Sequence, residues 1–362
     1  MMNRPEQSIP LFKVFMAPTA KEKVGEVLDS GYIGQGPKVE GFEKQLGEYF
    51  GNKKVVTVNA GTSALHLALH LLKKPKENWM KNEYESIAFS NQNWPGMKDG
   101  DEVLATPLTC TASNWPIVAN NLKIKWVDID PTTLNMDLED LKTKMTPKTK
   151  AIMGVHWGGY PLDLDKIKNI QQEFRKKYGW APVLIEDGAH SIGTKYKSKY
   201  LGNHGNFVMN SLQAIKHITS VDGGLLYCPH EELYERAKLL RWYGIDRNPK
   251  GRTDFRCEAD IAEWGFKFHM NDVCAAIGME NFKHIDRLVS RHKENAAYYD
   301  LRLQNVNGVT LLKREEGFES AFWIYSLLVD DRPSFYEYMK ECNITVSQVH
   351  ARNDEHSCMV DF

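Results

Sequence analysis

The chain has 362 residues, a formal net charge of −1 and 42% hydrophobic residues, enough for one large or two ordinary domains with a sizeable core. The balanced charge gives no support for binding to nucleic acid or to an anionic membrane surface. No apolar run approaches the roughly 20 residues of a membrane span, and the polar opening MMNRPEQSIP does not resemble a signal peptide.

The six cysteines are spread along the chain, with no C-x-x-C pair and no spacing typical of a zinc site. Such usage is typical of reduced intracellular proteins rather than of disulfide scaffolds. We therefore expect a cytoplasmic protein without a metal centre.

Short apolar runs alternate with amphipathic segments from residue 54 onward, which is typical of an α/β domain with a large, mostly parallel sheet. The expected strands are 54–60, 102–107, 124–130, 150–157, 182–187, 206–212 and 223–228. The expected helices are 62–72, 138–145, 164–178 and 230–244. The last of these has acidic residues first and basic residues last, as the helix dipole prefers.

Two stretches interrupt this alternation. Residues 75–99 are polar, with aromatic residues but no clean period, and we expect an inserted surface excursion to which we assign no role. Residues 246–262 are basic and then acidic, and they predict a loop of the kind that often carries function.

The C-terminal part has a different pattern. Residues 272–303 have the length and the period of about 3.6 residues expected of one long helix. Strand-like runs at 308–312, 322–329 and 344–350 then surround an expected helix at 334–342. We expect a large domain over residues 1–280 and a smaller α+β domain over 281–362, which ends without an evident closing element and suggests a truncated chain.

Asp187 ends the apolar run 182–187, and His190 follows three residues later. A strand that is apolar on both faces lies deep in a sheet, so a carboxylate at its end needs a partner. Taken alone, Asp187 is as well explained by capping a neighbouring helix or pairing with a surface base.

Three more polar features follow expected strands, at the edge where open α/β sheets bind ligands. The Gly-Thr-Ser turn at 61–63 opens a helix whose first N–H groups suit a phosphate, although this sequence also fits ordinary capping. Lys216 follows the strand 206–212, where a lysine can simply be solvated. His156 alone is better explained as a hydrogen-bonded core histidine.

Together these features meet the needs of pyridoxal phosphate, which takes a lysine amine for its aldehyde, a carboxylate for its ring nitrogen and fixed donors for its phosphate. Asp187 would keep the ring nitrogen protonated and so make the ring an electron sink. Lys216 would first form an imine and then, as a free amine, carry the substrate proton. We therefore predict a pyridoxal 5'-phosphate site.

The chain resembles the DegT/StrS-type sugar-nucleotide aminotransferases, pyridoxal-phosphate enzymes of the aspartate aminotransferase fold (fold type I). The likeness covers about residues 10–300 and fades beyond. The motifs that carry it are SGYIGQGPKVEGFEKQLGEYFG, NAGTSALHLAL, GDEVLATPLTCTAS, VDIDPTTLNMDLEDL, TPKTKAIMGVHWGGYPLDLD, IEDGAHSIG, SLQAIKHITSVDGG and FHMNDVCAAIG. The resemblance implies a homodimer in which each site is completed by the other subunit.

The resemblance also implies roles for individual residues. Lys216 would form the internal aldimine, Asp187 would hold the pyridine nitrogen, and His190 would lie near the ring hydroxyl. The other expected cofactor contacts are Thr62 and Ser63 through backbone N–H, Ser211 through its hydroxyl, Cys110 and Lys267. The expected substrate contacts are Tyr32, Ile33, His156 and His217.

Two of these positions depart from the family pattern. Cys110 stands where an aromatic residue normally stacks on the cofactor ring, so stacking must be weaker or come from elsewhere, with Trp115 as a candidate. Lys267 stands where an asparagine normally reaches across the dimer to the phosphate. An ammonium can still bind this anion, more strongly but with less directionality.

The implied reaction moves an amino group from L-glutamate to a keto group of a nucleotide-linked deoxysugar, by ping-pong kinetics through pyridoxamine phosphate. The nucleotide diphosphate needs cationic donors, although most charges in such a loop are simply solvated. The candidates in or beside the 246–262 loop are Arg241, Arg247, Lys250, Arg252 and Arg256.

Three alternatives remain open. A dehydratase branch of the same family has histidine where Lys216 stands here, which argues against that branch. Other enzymes of this fold act on amino acids alone. A third alternative is a cofactor-binding regulatory protein that keeps the fold without catalysis.

Overall fold

A computed structural model of the chain describes residues 7–74, 94–247 and 261–359. Seven strands form its central sheet, in the order β1-β9-β8-β5-β4-β2-β3. The strands in chain order are β1 Val55–Val58, β2 Glu102–Ala105, β3 Lys123–Trp126, β4 Thr149–Val155, β5 Val183–Asp187, β6 Lys195–Tyr196, β7 Lys199–Tyr200, β8 Phe207–Ser211, β9 Gly224–Tyr227, β10 Val309–Leu311, β11 Phe318–Glu319 and β12 Leu327–Val329.

The central sheet is parallel except for β9, which is antiparallel to both of its neighbours. The strands β4, β5 and β8 run side by side, so that Val155 is in register with Asp187 and Asp187 with Met209. The carboxyl ends of these strands therefore meet at one edge of the sheet, where ligands bind in folds of this kind. The predicted α/β class is confirmed.

Helices cover both faces of this sheet. They are α1 Ala20–Ser30, α2 Pro37–Phe50, α3 Gly61–Leu71, α4 Thr111–Ala119, α5 Leu138–Lys144, α6 Leu164–Tyr178, α7 Glu231–Leu240, α8 Asp272–Phe282, α9 Ile285–Leu303 and α10 Arg332–Glu341. Residues that alternate along the strands belong to two apolar clusters. One cluster also contains residues of α3, α4 and α7, and the other contains residues of α2, α5 and α8. Strands buried on both faces need such near-continuous apolar runs, which is why the sequence predicts them well.

The single long helix expected over 272–303 is wrong, because the chain breaks between α8 and α9. The buried Asn281 side chain near the end of α8 accepts from the N–H of Ala17 at 2.7 Å and donates to the carbonyl of Thr219 at 2.7 Å. These tertiary bonds fix the end of α8, and no glycine or proline marks the break in the sequence.

The expected strands of the C-terminal part are confirmed only in part. The run 308–312 contains β10, and the run 322–329 is a strand only over β12. The run 344–350 contains no strand and makes one isolated bridge, between Ile344 and Ile9. The chain then returns to the main sheet, since Met359 is 2% exposed and belongs to its core. The expected domain boundary near residue 280 stays a prediction.

The expected surface excursion at 75–99 lies mostly outside the described residues, which resume at 94. Its described end is not a surface feature: Trp94 and Met97 are buried, and Trp94 packs edge-on against Trp180. None of the helices in the described ranges combines the length and apolar character that crossing a membrane would require.

Candidate active site

Asp187 lies at the end of β5 and is 3% exposed. Its Oδ1 accepts from the N–H of Ala189 at 3.0 Å, and its Oδ2 accepts from the hydroxyl of Ser113. The Ser113 hydroxyl lies 2.7 Å from that of Thr109. These two donors fix the orientation of the buried Asp187 carboxylate. Sequence reasoning missed Ser113.

Lys216 follows the end of β8 and is half-buried. Burial lowers the pKa of its amine to about 8, against the opposing effect of the Asp187 charge and of Cys110. Asp187 ends β5 and Lys216 follows β8, which is the parallel neighbour of β5, so both lie at the same edge of the sheet. The Nζ of Lys216 lies 3.7 Å from the centroid of the Trp323 ring. The structure thus brings together the amine and the carboxylate that the sequence predicts as a pair.

His190 contacts the same Trp323 ring. Its Nδ1 accepts from the N–H of Gly158 at 3.3 Å, and its ring stacks on Trp323 with centroids 4.0 Å apart. Burial, followed by the charge of Lys216, keeps the pKa of His190 well below its ordinary value. The ring is therefore neutral, and because Nδ1 accepts, Nε2 carries the proton and can donate.

The N-terminus of α3 forms a cradle beside Ser211. A methyl group at Gly61 would lie 3.3 Å from Cβ of Ser211, and one at Gly224 would lie 2.5 Å from the carbonyl oxygen of Ala60. Glycine, which has no side chain, allows the backbone to come this close to its neighbours, and space is left beside the start of α3. The first N–H groups of a helix have no intrahelical acceptor, so those of Thr62 and the adjacent serine, with the Ser211 hydroxyl, suit a phosphate.

Cys110 is exposed and directly precedes α4. Its effect on the pKa of Lys216 is opposite to that of burial. Trp115 is 49% exposed and makes no ring contact with the site among the described residues. The aromatic ring beside Lys216 is Trp323, whose Nε1 donates to the carbonyl of Ile215 at 3.0 Å.

Two predicted substrate contacts, His156 and His217, have rings that are buried against protein atoms, and their contact with the substrate stays a prediction. His156 is fully buried, with Nε2 2.8 Å from a Glu186 carboxylate oxygen and Nδ1 accepting from the N–H of Leu162 at 3.0 Å. His217 has its Nε2 3.0 Å from the carbonyl of Ala321, and burial lowers its pKa to about 3. Both rings contact protein atoms that lie behind the site residues.

The predicted residues of the loop between α1 and α2 lie on the surface, with Tyr32 81% and Ile33 53% exposed. Lys267 is also exposed, and its Nζ lies 4.3 Å from the Trp242 ring centroid. None of the three makes a hydrogen bond or ring contact with Lys216 in the described part of this single chain.

The cationic candidates for a diphosphate contact differ in burial. Arg241 is 4% exposed, pairs with Glu43 and donates to the carbonyl of Thr57 at 2.9 Å, so it is a core brace and its prediction is wrong. Arg247 is exposed, and its guanidinium lies 4.2 Å from the Trp242 centroid. The other three candidates, Lys250, Arg252 and Arg256, lie outside the described residues.

The C-terminal segment reaches the site, which the sequence does not predict. The ring of His350 lies 6.4 Å from that of His190 and 6.2 Å from that of Trp157. Burial and the Lys216 charge lower the pKa of His350, and its buried Nε2 has no hydrogen-bond partner among the described residues.

Comparison with known proteins gives a consistent result. The pattern of the DegT/DnrJ/EryC1/StrS aminotransferase family matches residues 16–79 and 86–357. The spore coat polysaccharide biosynthesis protein SpsC of Bacillus subtilis is 31% identical over 314 residues, which are 86% of this chain and 73% of SpsC.

Two solved structures share the fold at higher identity. AtS13 from Actinomadura melliaura superposes with a TM-score of 0.88 and 46% identity, over 99% of this chain and 89% of AtS13. The sugar aminotransferase CalS13 from Micromonospora echinospora gives a TM-score of 0.86 and 41% identity, over 98% of this chain and 89% of CalS13. The predicted fold type is confirmed.

Proposed function

The chain belongs to the DegT/DnrJ/EryC1/StrS aminotransferase family, and from this premise we propose that it moves an amino group from L-glutamate to a keto group of a nucleotide-linked sugar. It is a pyridoxal-phosphate-dependent aminotransferase that acts on a sugar. The observation that carries the proposal is the placement of an oriented, buried carboxylate, Asp187, and a half-buried amine of lowered pKa, Lys216, at or after the ends of the neighbouring strands β5 and β8.

The bound cofactor supplies an aldehyde that takes up the amino group and a ring that accepts electrons from the substrate carbon. Asp187 holds a proton at the ring nitrogen, because its carboxylate is buried and oriented by Ser113 and the N–H of Ala189. His190 would face the ring with Nε2 as a donor. The N-terminal N–H groups of α3 and the Ser211 hydroxyl would hold the phosphate.

Lys216 would hold the cofactor through its aldehyde, and its amine would take up and release a proton at Nζ. An amine with a pKa of about 8 is neutral in about a tenth of molecules at pH 7 and in about half at pH 8. An unperturbed lysine would be neutral in only about three molecules in ten thousand at pH 7. Burial therefore prepares this amine as nucleophile and base.

The sugar nucleotide would bind at the outer rim, where exposed aromatic and cationic groups remain available. Tyr32 and Ile33 are exposed apolar side chains, and Arg247 presents a guanidinium held over Trp242. A guanidinium suits a diphosphate because it donates in a fork. The names of CalS13 and SpsC support a sugar substrate and a role in deoxyamino-sugar or polysaccharide biosynthesis.

We further propose that two copies of the chain form a cytoplasmic homodimer with shared sites. Tyr32, at 81%, is the most exposed large apolar side chain in the described chain, and exposed apolar groups favour burial in an interface. Lys267 would then reach the phosphate of the partner subunit, as the resemblance implies.

Among the alternatives, the dehydratase branch is disfavoured by Lys216 itself. An enzyme of amino acids alone is disfavoured by the likeness to a sugar aminotransferase at 41% identity. The family match and the prepared amine favour an enzyme over a non-catalytic binding protein.

The test is a pair of half-reactions. Enzyme loaded with pyridoxal phosphate is first mixed with L-glutamate, and the change of cofactor absorbance to the amine form is recorded. Excess glutamate is removed and a panel of keto-sugar nucleotides is added. Return of the original spectrum with one of them supports the proposal, and a response to 2-oxo acids alone would contradict it.

A further inference from the structure

Asn353 packs against the loop that leads into α4, far from it in sequence. It is 1% exposed. Its Nδ2 donates to the carbonyl of Thr109 at 2.7 Å, its Oδ1 accepts from Nδ2 of Asn114 at 3.0 Å, and its own N–H donates to the carbonyl of Pro107 at 2.9 Å. One polar end of this side chain therefore holds the loop and the other holds the first turns of α4.

The hydrogen bonds continue from that loop to Asp187. The Thr109 hydroxyl lies 2.7 Å from the Ser113 hydroxyl, which donates to Oδ2 of Asp187. All of these groups are at most 3% exposed, so water does not compete for their hydrogen bonds. The direction of a buried carboxylate depends on its few donors, and here one donor is set by the position of Thr109.

We propose that Asn353 is a positioning residue for the transamination. It fixes Thr109 and Ser113, and through Ser113 it aims the Asp187 carboxylate at the ring nitrogen of the cofactor. The inference rests on the proposed function, because it assigns a purpose to that orientation. A primary amide suits the position, since it donates to one group and accepts from another at the same time.

A role in stability alone makes a different prediction. Loss of the Asn353 amide would then lower the melting temperature and leave the properties of the bound cofactor unchanged. Arg352 provides a matched control on the same turn, because its side chain is 59% exposed and pairs with Asp354 and Glu355. Within the described part of the chain these are its side-chain ion pairs, and neither is with the loop before α4, so Arg352→Ala should leave activity as it is.

The experiment compares Asn353→Ala, Thr109→Val and Arg352→Ala as full-length enzymes loaded with pyridoxal phosphate. Three quantities are measured: the pH midpoint of the cofactor absorbance, kcat and KM for glutamate in the half-reaction, and the melting temperature. Because a hydrogen bond to a charged group is involved, we expect Asn353→Ala to lower kcat about tenfold and shift the pH midpoint by about 0.5 to 1 unit, with little change in KM.

Thr109→Val removes the hydroxyl that contacts Ser113 and leaves the backbone hydrogen bonds of Thr109 in place. It should reproduce the effects on the cofactor with a smaller loss of melting temperature. If Asn353→Ala does not fold, this variant still tests whether the loop that Asn353 holds acts on Asp187 through Ser113. In the double variant Asn353→Ala/Ser113→Ala the loss of kcat should not exceed that of Ser113→Ala, because both act on one connection.

An unchanged pH midpoint and kcat in both Asn353→Ala and Thr109→Val, or multiplied losses in the double variant, would overturn the proposal. The absorbance titration needs no substrate. A wild-type enzyme that does not accept glutamate would therefore defeat the proposed amino donor and leave the role of Asn353 measurable.

Discussion

The inner wall of the site and its outer rim are built in opposite ways. On the wall, Asp187 and His190 are at most 4% exposed, and both carboxylate oxygens of Asp187 and Nδ1 of His190 accept hydrogen bonds from the protein. On the rim, Tyr32 and Ile33 are more than half exposed, and the Lys267 ammonium rests on an aromatic ring at the surface.

This difference follows from what each region has to bind. The cofactor is always the same molecule, so the groups around it can be buried and fixed in advance, which lowers the cost of organising the site. The rim has to meet a larger substrate and a second subunit, and it keeps exposed groups for those contacts. Substitutions on the wall should therefore change chemistry, and substitutions on the rim should change affinity.

The largest effect should come from Lys216→Ala. Loss of the nucleophile and base should lower transamination by about 10⁴-fold or more and abolish the absorbance of the covalently bound cofactor. Both quantities are measured on purified protein, with Lys199→Ala as control because Lys199 is exposed on β7. Transamination that survives the change would place the reactive amine elsewhere on the wall.

Asp187→Asn should have the next largest effect. Cofactor binding should persist, because phosphate and aldehyde contacts remain, whereas kcat should fall about 10²- to 10³-fold because the ring nitrogen loses its anionic partner. Stopped-flow measurement of the glutamate half-reaction gives kcat. The control is Asp165→Asn, which removes an exposed carboxylate that pairs with Lys197. Near-normal turnover would contradict the ion pair.

The pH dependence of cofactor attachment tests the wall without mutation. Only the neutral amine attacks the aldehyde, and burial lowers the Lys216 pKa to about 8. The rate of attachment should therefore rise about tenfold from pH 7 to pH 9 and then level off. A rate that keeps rising to about pH 10.5 would mean that the amine is solvated like an ordinary lysine.

Lys267→Met should weaken the affinity for pyridoxal phosphate by about five- to tenfold and make it less sensitive to salt, because a cation that faces the phosphate is lost. Titration of apo-enzyme at two ionic strengths measures both effects. Lys340→Met is a suitable control, since Lys340 is 79% exposed on α10. An equal response of the two variants would remove Lys267 from the site.

The smallest effect should come from Tyr32→Ala. We expect a KM for the sugar nucleotide that is about three- to tenfold higher, with kcat and the KM for glutamate nearly unchanged, because one aromatic contact with the larger substrate is lost. Steady-state kinetics with both substrates varied measure this split. Tyr298→Ala, at an exposed tyrosine on α9, should change neither constant.

The sequence predicts those residues of the inner wall that carry the chemistry and also lie at or after the end of a strand. Asp187 and Lys216 each follow a buried strand, and the parallel order of those strands brings their carboxyl ends together. The sequence does not predict the residues that orient them. Ser113 reaches Asp187 across 74 positions, and Asn353 reaches Thr109 across 244. Such contacts depend on how the whole chain folds back, and no local pattern signals them.

His156 and His217 teach a related lesson. His156 directly follows β4 and His217 directly follows Lys216 in the sequence, and yet both rings are buried in the core, next to Glu186 and the carbonyl of Ala321. Neighbouring positions on a strand or its end face opposite directions. Adjacency to a site residue is therefore weak evidence for a contact with the ligand.

The most direct test of the account asks which amine bonds the cofactor. Enzyme saturated with pyridoxal phosphate is reduced with borohydride, digested and mapped by mass spectrometry, which locates the trapped pyridoxyl group. We predict a single modification, on the peptide that contains Lys216. The modification should be absent when the protein is unfolded in denaturant before the reduction. A label on Lys267 or on any other lysine, or no label at all, would contradict the proposed site.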